Sequence, residues 1–348
     1  MDTGVQEIEN MEDRERYAIY NKIDILNSIL WDNRVLKPWI EDWLGNFKED
    51  ERDDALYLLS KCMYFNNASI RAILRALYRD KYRTPIIQAI REANDGTLDE
   101  NVIEAAYHDR LMNTRFLGVG NPSESGVHLL YYFRQENKIP KKLFVNTDDL
   151  YEVKSTGDVL LRKECASVEH IVFIDDLCGS GQQAKSDNNV KRCVEKLRNL
   201  ENPPKVSYLM MFGTTNGINI VRNATLGNSE VKLFDEAEAV MELNESYKCF
   251  GELSRYFKDE SEKNKSMDLC LKYGMELIDK IADRDWPEPL VGEKRIQYVR
   301  SCALGYGDCQ LLLSLKHNTP NNTLPIFWFD EEDHDWIPIL KRYNKVYY

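Results

Sequence analysis

The stretch that most constrains this chain is Ile171-Val172-Phe173-Ile174-Asp175-Asp176-Leu177-Cys178-Gly179-Ser180-Gly181-Gln182-Gln183. Four consecutive apolar residues need cover on both faces, which reads as a buried parallel strand. The strand ends in two adjacent acids and a glycine-bearing loop. A helix marked by Val190, Cys193, Val194, Leu197 and Leu200 then follows. Gly179 and Gly181 permit positive φ and close backbone approach, so several N–H groups can converge on one phosphate. A helix N-terminus behind the loop adds about half a positive charge. Carboxylates at the carboxyl end of the strand can accept hydrogen bonds from two ribose hydroxyls, and ligands of open α/β sheets bind at that end. The bland alternative is a solvated strand–helix connection. The conjunction of apolar tetrad, acidic dyad and spaced Ser-Gly favours the ligand site.

The flanking sequence alternates in the same way. Arg115–Val119 reads as a strand, Asn121-Pro122 as a turn, Val127–Phe133 as a helix and Lys142–Val145 as a second strand. The polar stretch from Asn146 to Glu169 reads as a long mobile loop or a hairpin. Lys205–Phe212 is a further apolar strand and Val231–Phe234 an edge-like one. Strand–helix–strand repetition implies a parallel sheet with covering helices. The expected organisation is a helical N-terminal lobe over 1–110, an α/β core over 111–240 and a C-terminal extension over 241–348. The extension is helical from about Ala237 to Asp285. It then returns to the core through apolar strands around His317-Asn318-Thr319-Pro320-Asn321-Asn322-Thr323.

The Ile171–Gln183 run resembles the PRPP motif of type I phosphoribosyltransferases. That resemblance implies that Asp175 and Asp176 are the catalytic, ribose-binding acids and that Gly179, Ser180, Gly181, Gln182 and Gln183 wrap the 5′-phosphate. Mg2+ is then held at Asp175 and Asp176, directly or through the ligand. Gln183 departs from the family, which usually has a hydroxyl residue there, and the helix is expected to open late, near Ser186-Asp187. Upstream, Ser123, Ser125 and Gly126 fall where the family carries its pyrophosphate loop. A plain turn with Ser123 or Ser125 as N-cap accounts for them equally well. Lys154, Arg162 and Lys163 fall in the family's flexible catalytic loop. More broadly, the chain resembles the phosphoribosyltransferase-like domains of bacterial conflict systems, effectors of antiphage defence. The residues that carry this are Phe65–Arg79 with its arginines, the IDDLCGSG core and the HNTPNNTLPIFW block.

Two functions are open on this reading. One is an enzyme that binds PRPP or a related nucleotide-like molecule and acts at the anomeric carbon. The other is an inactive nucleotide-sensing module that relays its state to protein partners. His317, Asn318, Asn321 and Asn322 carry enough donors and acceptors to border the ligand, although an Asn-rich turn is also simply a turn. Arg71, Arg75 and Arg79 fall four apart on one helix face, either solvated or docking a phosphate-bearing or acidic partner.

Composition closes off several classes. A net charge of −12 disfavours general nucleic-acid binding without excluding it. No run approaches the roughly 18 apolar residues of a membrane span, and the acidic, polar start is unlike a signal peptide, so a cytoplasmic protein is expected. The eight cysteines contain no C-x-x-C pair and five histidines form no H-E-x-x-H, against a zinc site or a disulfide framework.

Overall fold

The computed structural model describes residues 11–119, 125–182, 184, 188–227, 229–283, 288–331 and 334–343. Contacts divide the chain into two compact units, one built from 1–67 and 246–348 and the other from 68–245. The expected N-terminal lobe is therefore split. Its first part shares a core with the C-terminal residues, and its helices beyond residue 67 fold with the sheet.

The first unit opens with helices α1 (Met11–Ile29), α2 (Lys37–Leu44) and α3 (Arg52–Leu59) and the short strand β1 (Met63–Phe65). Its core is aromatic: Trp43 stacks on Phe327, while Phe47 meets Tyr273 and Trp336 edge-on. Trp43 Nε1 donates to the Ile326 carbonyl at 2.8 Å, so a bulky indole is buried without an unmet donor.

The second unit starts with α4 (Asn67–Ala76), a π-helical stretch Leu77–Arg83, and α5 (Thr84–Ala93), followed by α6 (Glu100–Met112). Strand β2 (Thr114–Gly118), helix α7 (Ser125–Asn137) and the β3–β4 hairpin (Tyr151–Val153, Val159–Leu161) come next. Then come β5 (His170–Cys178), α8 (Asn188–Arg198), β6 (Lys205–Thr214), α9 (Thr215–Arg222) and β7 (Glu236–Leu243). The sheet runs β2-β5-β6-β7, with each neighbouring pair parallel. Ile171 to Ile174 are fully buried because both faces are covered. On one face His170 stacks against Tyr82, which also meets Phe116. On the other, Ile171 and Phe173 pack with Val190, Cys193, Val194 and Leu197 of α8.

Beyond β7, α10 (Glu260–Ile281), α11 (Gly292–Cys302), strand β8 (Leu313–Leu315) and α12 (Pro325–Trp328) complete the first unit. There β8 pairs in parallel with β1. Among the described residues no helix is long and apolar enough to cross a membrane. All eight cysteines are free and all but Cys309 are buried.

Three local expectations differ from the structure. Lys142–Val145 makes no full strand: Lys141–Leu143 is a 3-10 turn, after which Phe144 bridges Phe116 in parallel. Val231–Phe234 contributes only the bridge of Lys232 to Thr225, and the edge strand is instead β7, where helix was expected. The β7 sequence EAEAVMEL is rich in helix formers. Its alternation buries Ala237 and Ala239 beside β6, and its outward Glu236 and Glu238 pair with Lys205, Lys81 and Arg222. Sheet pairing and burial override intrinsic preference there. The arginine row is solvent-facing as expected at Arg75 and Arg79, which are exposed, but it is also ion-paired. Arg71 and Arg75 both grip Glu136 of α7, Arg71 lies over the Tyr132 ring, and Arg79 pairs with Asp80.

Candidate functional site

Chain direction in the sheet locates the site. From β2 the chain passes through α7 to the Phe144 bridge on one side of β2, then through the hairpin to β5 on its other side. From β5 it continues away to β6 and β7. The connections leaving β2 and β5 therefore diverge, and a crevice opens outside their carboxyl ends. Such a topological switch point is where open α/β sheets bind ligands.

Asp175 and Asp176 stand at that end. Adjacent residues of a strand face opposite sides of the sheet, so the dyad straddles β5. Asp175 is buried, and its Oδ2 accepts a short hydrogen bond from the Tyr208 hydroxyl of β6 while Oδ1 accepts from the Asp176 amide at 2.9 Å. Burial, and then the neighbouring Asp175 charge, push the Tyr208 hydroxyl pKa well above the usual tyrosine value, so Tyr208 stays a proton donor. Asp176 is half-buried, and its Oδ1 accepts from the Leu177 amide at 2.7 Å.

The loop beyond is held from below. Gly181 has φ +72°, and a Cβ there would lie 2.8 Å from the Gly217 carbonyl oxygen. Gly217, in the first turn of α9, is tighter still, since its added Cβ would sit 2.2 Å from the Gly179 oxygen. Thr214 caps α9 by accepting from the Gly217 amide at 2.9 Å and donates its own proton to the Gly179 oxygen at 2.5 Å. The carbonyl side of the loop is thus fixed to α9. The β5–β6 ladder runs up to the Cys178–Gly213 pair, so the loop leaves the sheet at Gly179. Ser180 Oγ accepts a long bond from the exposed Gln182 amide at 3.4 Å.

Gly120, Asn121, Pro122, Ser123, Glu124 and Gln183 lie outside the described residues, as does the side chain of Ser125, while the backbone of Ser125 and Gly126 opens α7. The two acids do not make a direct two-carboxylate chelate, because they face opposite sides of the strand and Asp175 is engaged by Tyr208. Among the described residues no group of three or more His, Cys, Asp or Glu side chains is arranged to hold a metal ion. Of the candidate loop cations, Arg162 donates to the Asp148 and Tyr151 carbonyls at 3.2 Å and so shapes the hairpin, while Lys154 and Lys163 are exposed.

The Asn-rich block belongs to the first unit, not to the unit that carries the dyad. Its polar groups serve that unit's own framework. Asn318 Oδ1 accepts from the Tyr343 amide at 2.9 Å, and Asn322 Nδ2 donates to the Tyr306 carbonyl at 2.9 Å. Thr319 bonds Ser314 and the Leu340 carbonyl. The Asn321 carbonyl accepts from the Tyr306 amide at 2.8 Å, and His317 is half-buried in the same turn. These are the bonds of a structural turn.

Sequence reading missed Tyr208, Thr214 and Gly217. A tyrosine inside an apolar strand looks like core. Thr214 with Gly217 three residues on was a legible cap, but nothing linked it to a loop 35 residues earlier.

A parallel sheet with helices on both faces and a glycine loop at its switch point is the phosphoribosyltransferase-like arrangement. The chain matches the family model PRTase-CE over residues 40–342 and belongs to that family. Searches of curated proteins and of solved structures give no match.

Proposed function

We propose that this chain binds PRPP or a related ribose-5-phosphate nucleotide at the β5 loop, with Mg2+ carried by the ligand, and acts at the anomeric carbon. The observation that carries the reading is the Gly179–Gly181 turn. Its carbonyl side is fastened to Thr214 and packed on Gly217, and Gly181 holds φ +72°. A glycine turn fixed in this way suits N–H donation to a phosphate. Asp176, the less buried acid, is suited to bind ribose hydroxyls and to stabilise positive charge as the glycosidic bond loosens. Membership of PRTase-CE supports this chemistry, and with the resemblance to conflict-system effectors it supports a role in antiphage defence alongside protein partners.

The test is calorimetric binding of PRPP with Mg2+, followed by assay of released pyrophosphate, for the wild type and Asp176→Asn. Saturable binding and turnover, both lost in the variant, are expected. No binding at millimolar PRPP would overturn the reading.

One observation favours a second reading. The Asp175 carboxylate is held by Tyr208 and buried, so only one acid of the pair is presented. A nucleotide-sensing module that binds without turnover fits that arrangement. PRPP bound without pyrophosphate release is its signature.

A further inference from the structure

Tyr208 is a polar residue on an otherwise apolar face of β6. Val206, Tyr208 and Met210 share a core with Ile171 and Phe173 of β5, and Tyr208 is almost fully buried there. In the ladder Tyr208 pairs with Phe173, two residues short of Asp175. Two strand residues span roughly 6.6 Å. The ring therefore has to run along the sheet toward the loop for its hydroxyl to meet the Asp175 carboxylate, as it does. Phe234 holds the ring in that line. Its own ring centre lies 5.0 Å from that of Tyr208 and 6.1 Å from that of Phe173.

The bond is one link of a chain. Asp175 Oδ2 accepts from the Tyr208 hydroxyl, Oδ1 accepts from the Asp176 amide at 2.9 Å, and Asp176 Oδ1 accepts from the Leu177 amide at 2.7 Å. The Asp175 carboxylate thus bridges a hydroxyl fixed by its ring to the peptide between the two acids. Around that peptide Asp175 pairs with Met210 and Leu177 with Phe212, while β2 pairs with β5 as far as Ile174. A brace on the Asp175–Asp176 peptide bears directly on where the Asp176 carboxylate points. A carboxylate buried on this face costs stability that an apolar side chain would not. What it supplies in return is the bridge.

We propose that Tyr208 is a positioning residue for Asp176. It fixes the Asp175 carboxylate, which fixes the Asp176 peptide, so that the less buried acid is presented to the ribose in one orientation. This role rests on the reading of Asp176 as the acid that meets the ribose. The phosphate loop is seated separately, on Thr214 and Gly217. Loss of the Tyr208 hydroxyl should therefore slow the chemistry without loosening the hold on phosphate.

The experiment compares the wild type with Tyr208→Phe, Asp175→Asn and the double variant. Tyr208→Phe keeps the ring and removes only the hydroxyl. In the double variant Asp175→Asn also removes the buried charge left without its donor, so the comparison stands even if Tyr208→Phe alone folds poorly. Amide spectra of the ligand-free, isotope-labelled chain come first. In Tyr208→Phe the Asp176 amide should shift and exchange faster by on the order of tenfold, while the Gly179–Gly181 amides stay as in the wild type. In turnover of PRPP with Mg2+, kcat should fall by about ten- to a hundredfold with KM changed by less than about threefold. The double variant should be no slower than the slower single variant, because two members of one chain do not add. The role is refuted if the Asp176 amide is unchanged, if kcat matches the wild type, or if the two substitutions multiply. If the wild type does not turn PRPP over, the enzymatic reading is what has failed. The Asp176 amide alone then decides whether Tyr208 braces it.

Discussion

Gly217→Ala should separate the function of the β5 loop from the stability of the sheet. The added Cβ would lie 2.2 Å from the Gly179 oxygen and 2.8 Å from the Cys178 oxygen, both backbone atoms that cannot rotate away. Ordinary contact begins at 3.4 Å, so loop and helix start have to part by about 1.2 Å. Overpacking of this kind costs about 1–3 kcal/mol. Replacing glycine by alanine within a helix returns up to about 1 kcal/mol, so the net loss is roughly 0–3 kcal/mol. The loop, however, loses its seat. Displacement by about 1 Å at a positioning contact can cost on the order of a hundredfold in function. Denaturant unfolding should therefore show a modest shift of midpoint, while calorimetric PRPP affinity falls by one to two orders of magnitude. Amide exchange at Gly179–Gln182 should accelerate in parallel, a readout that needs no ligand. If exchange and affinity both match the wild type, the loop is not seated on α9 and the reasoning fails.

Other substitutions test separate parts of the argument. Asp175→Asn should lower stability by about 1–3 kcal/mol, because it disturbs a buried carboxylate bonded to Tyr208, whereas Asp176→Asn should unfold like the wild type and lose ligand. Equal thermal profiles for the two would remove the distinction drawn between the acids. His170 is half-buried, stacked on Tyr82 and bonded to Ser207 Oγ at 2.8 Å. Burial, and secondarily Lys205, lower its pKa from 6.5 to about 3. The unfolded chain thus binds the proton first, so stability is full above pH 6.5 and falls as pH drops towards 3. Between pH 6.5 and 5 the wild type should lose about 2 kcal/mol that His170→Gln does not lose. A pH series of urea midpoints for both proteins checks this. Glu136 is held below the usual carboxylate range by hydrogen bonds from Arg71 and Arg75. The stability this clamp adds is present above the ordinary glutamate pKa and vanishes as pH falls through the lowered one. Glu136→Gln should accordingly be less stable than the wild type at pH 7, converge with it in acid, and lose its deficit in high salt.

What could be read in advance was whatever the chain declares locally. The run from Ile171 to Gly181 announces strand, acids and loop within eleven residues, because full burial on both faces demands an unbroken apolar run. The hairpin alternative for Asn146–Glu169 was legible for similar reasons. β7 was not, since EAEAVMEL is helical by preference and becomes a strand only beside β6. Nor was Tyr208, whose bond to Asp175 spans 33 residues. The exposure of Arg75 and Arg79 was legible, but their row's ion pairing to Glu136 on another helix was not.

The same non-locality governs the organisation of the chain. A lobe, a core and an extension in sequence order is the simplest reading of a pattern that changes near residues 110 and 240. The structure instead closes one unit from segments almost 180 residues apart: Met63, Tyr64 and Phe65 pair with Leu313, Ser314 and Leu315, and Trp43 donates to Ile326. The sheet unit is thereby an insertion between two halves of an aromatic core. The family match runs from Ile40 to Arg342 and so includes both halves along with the insertion. The match is therefore not confined to the sheet unit. The HNTPNN block then has a physical account without a ligand. Thr319 and Thr323 are buried and bonded to Leu340 and Leu313. With Asn318 and Asn322 they satisfy the backbone groups of a turn that must stay buried against β8, where an unmet polar group would cost about 1–3 kcal/mol each. A dense cluster of Asn and Thr is what such a turn requires. It is chemistry spent on closing the core, which a sequence alone cannot tell from chemistry spent on a substrate.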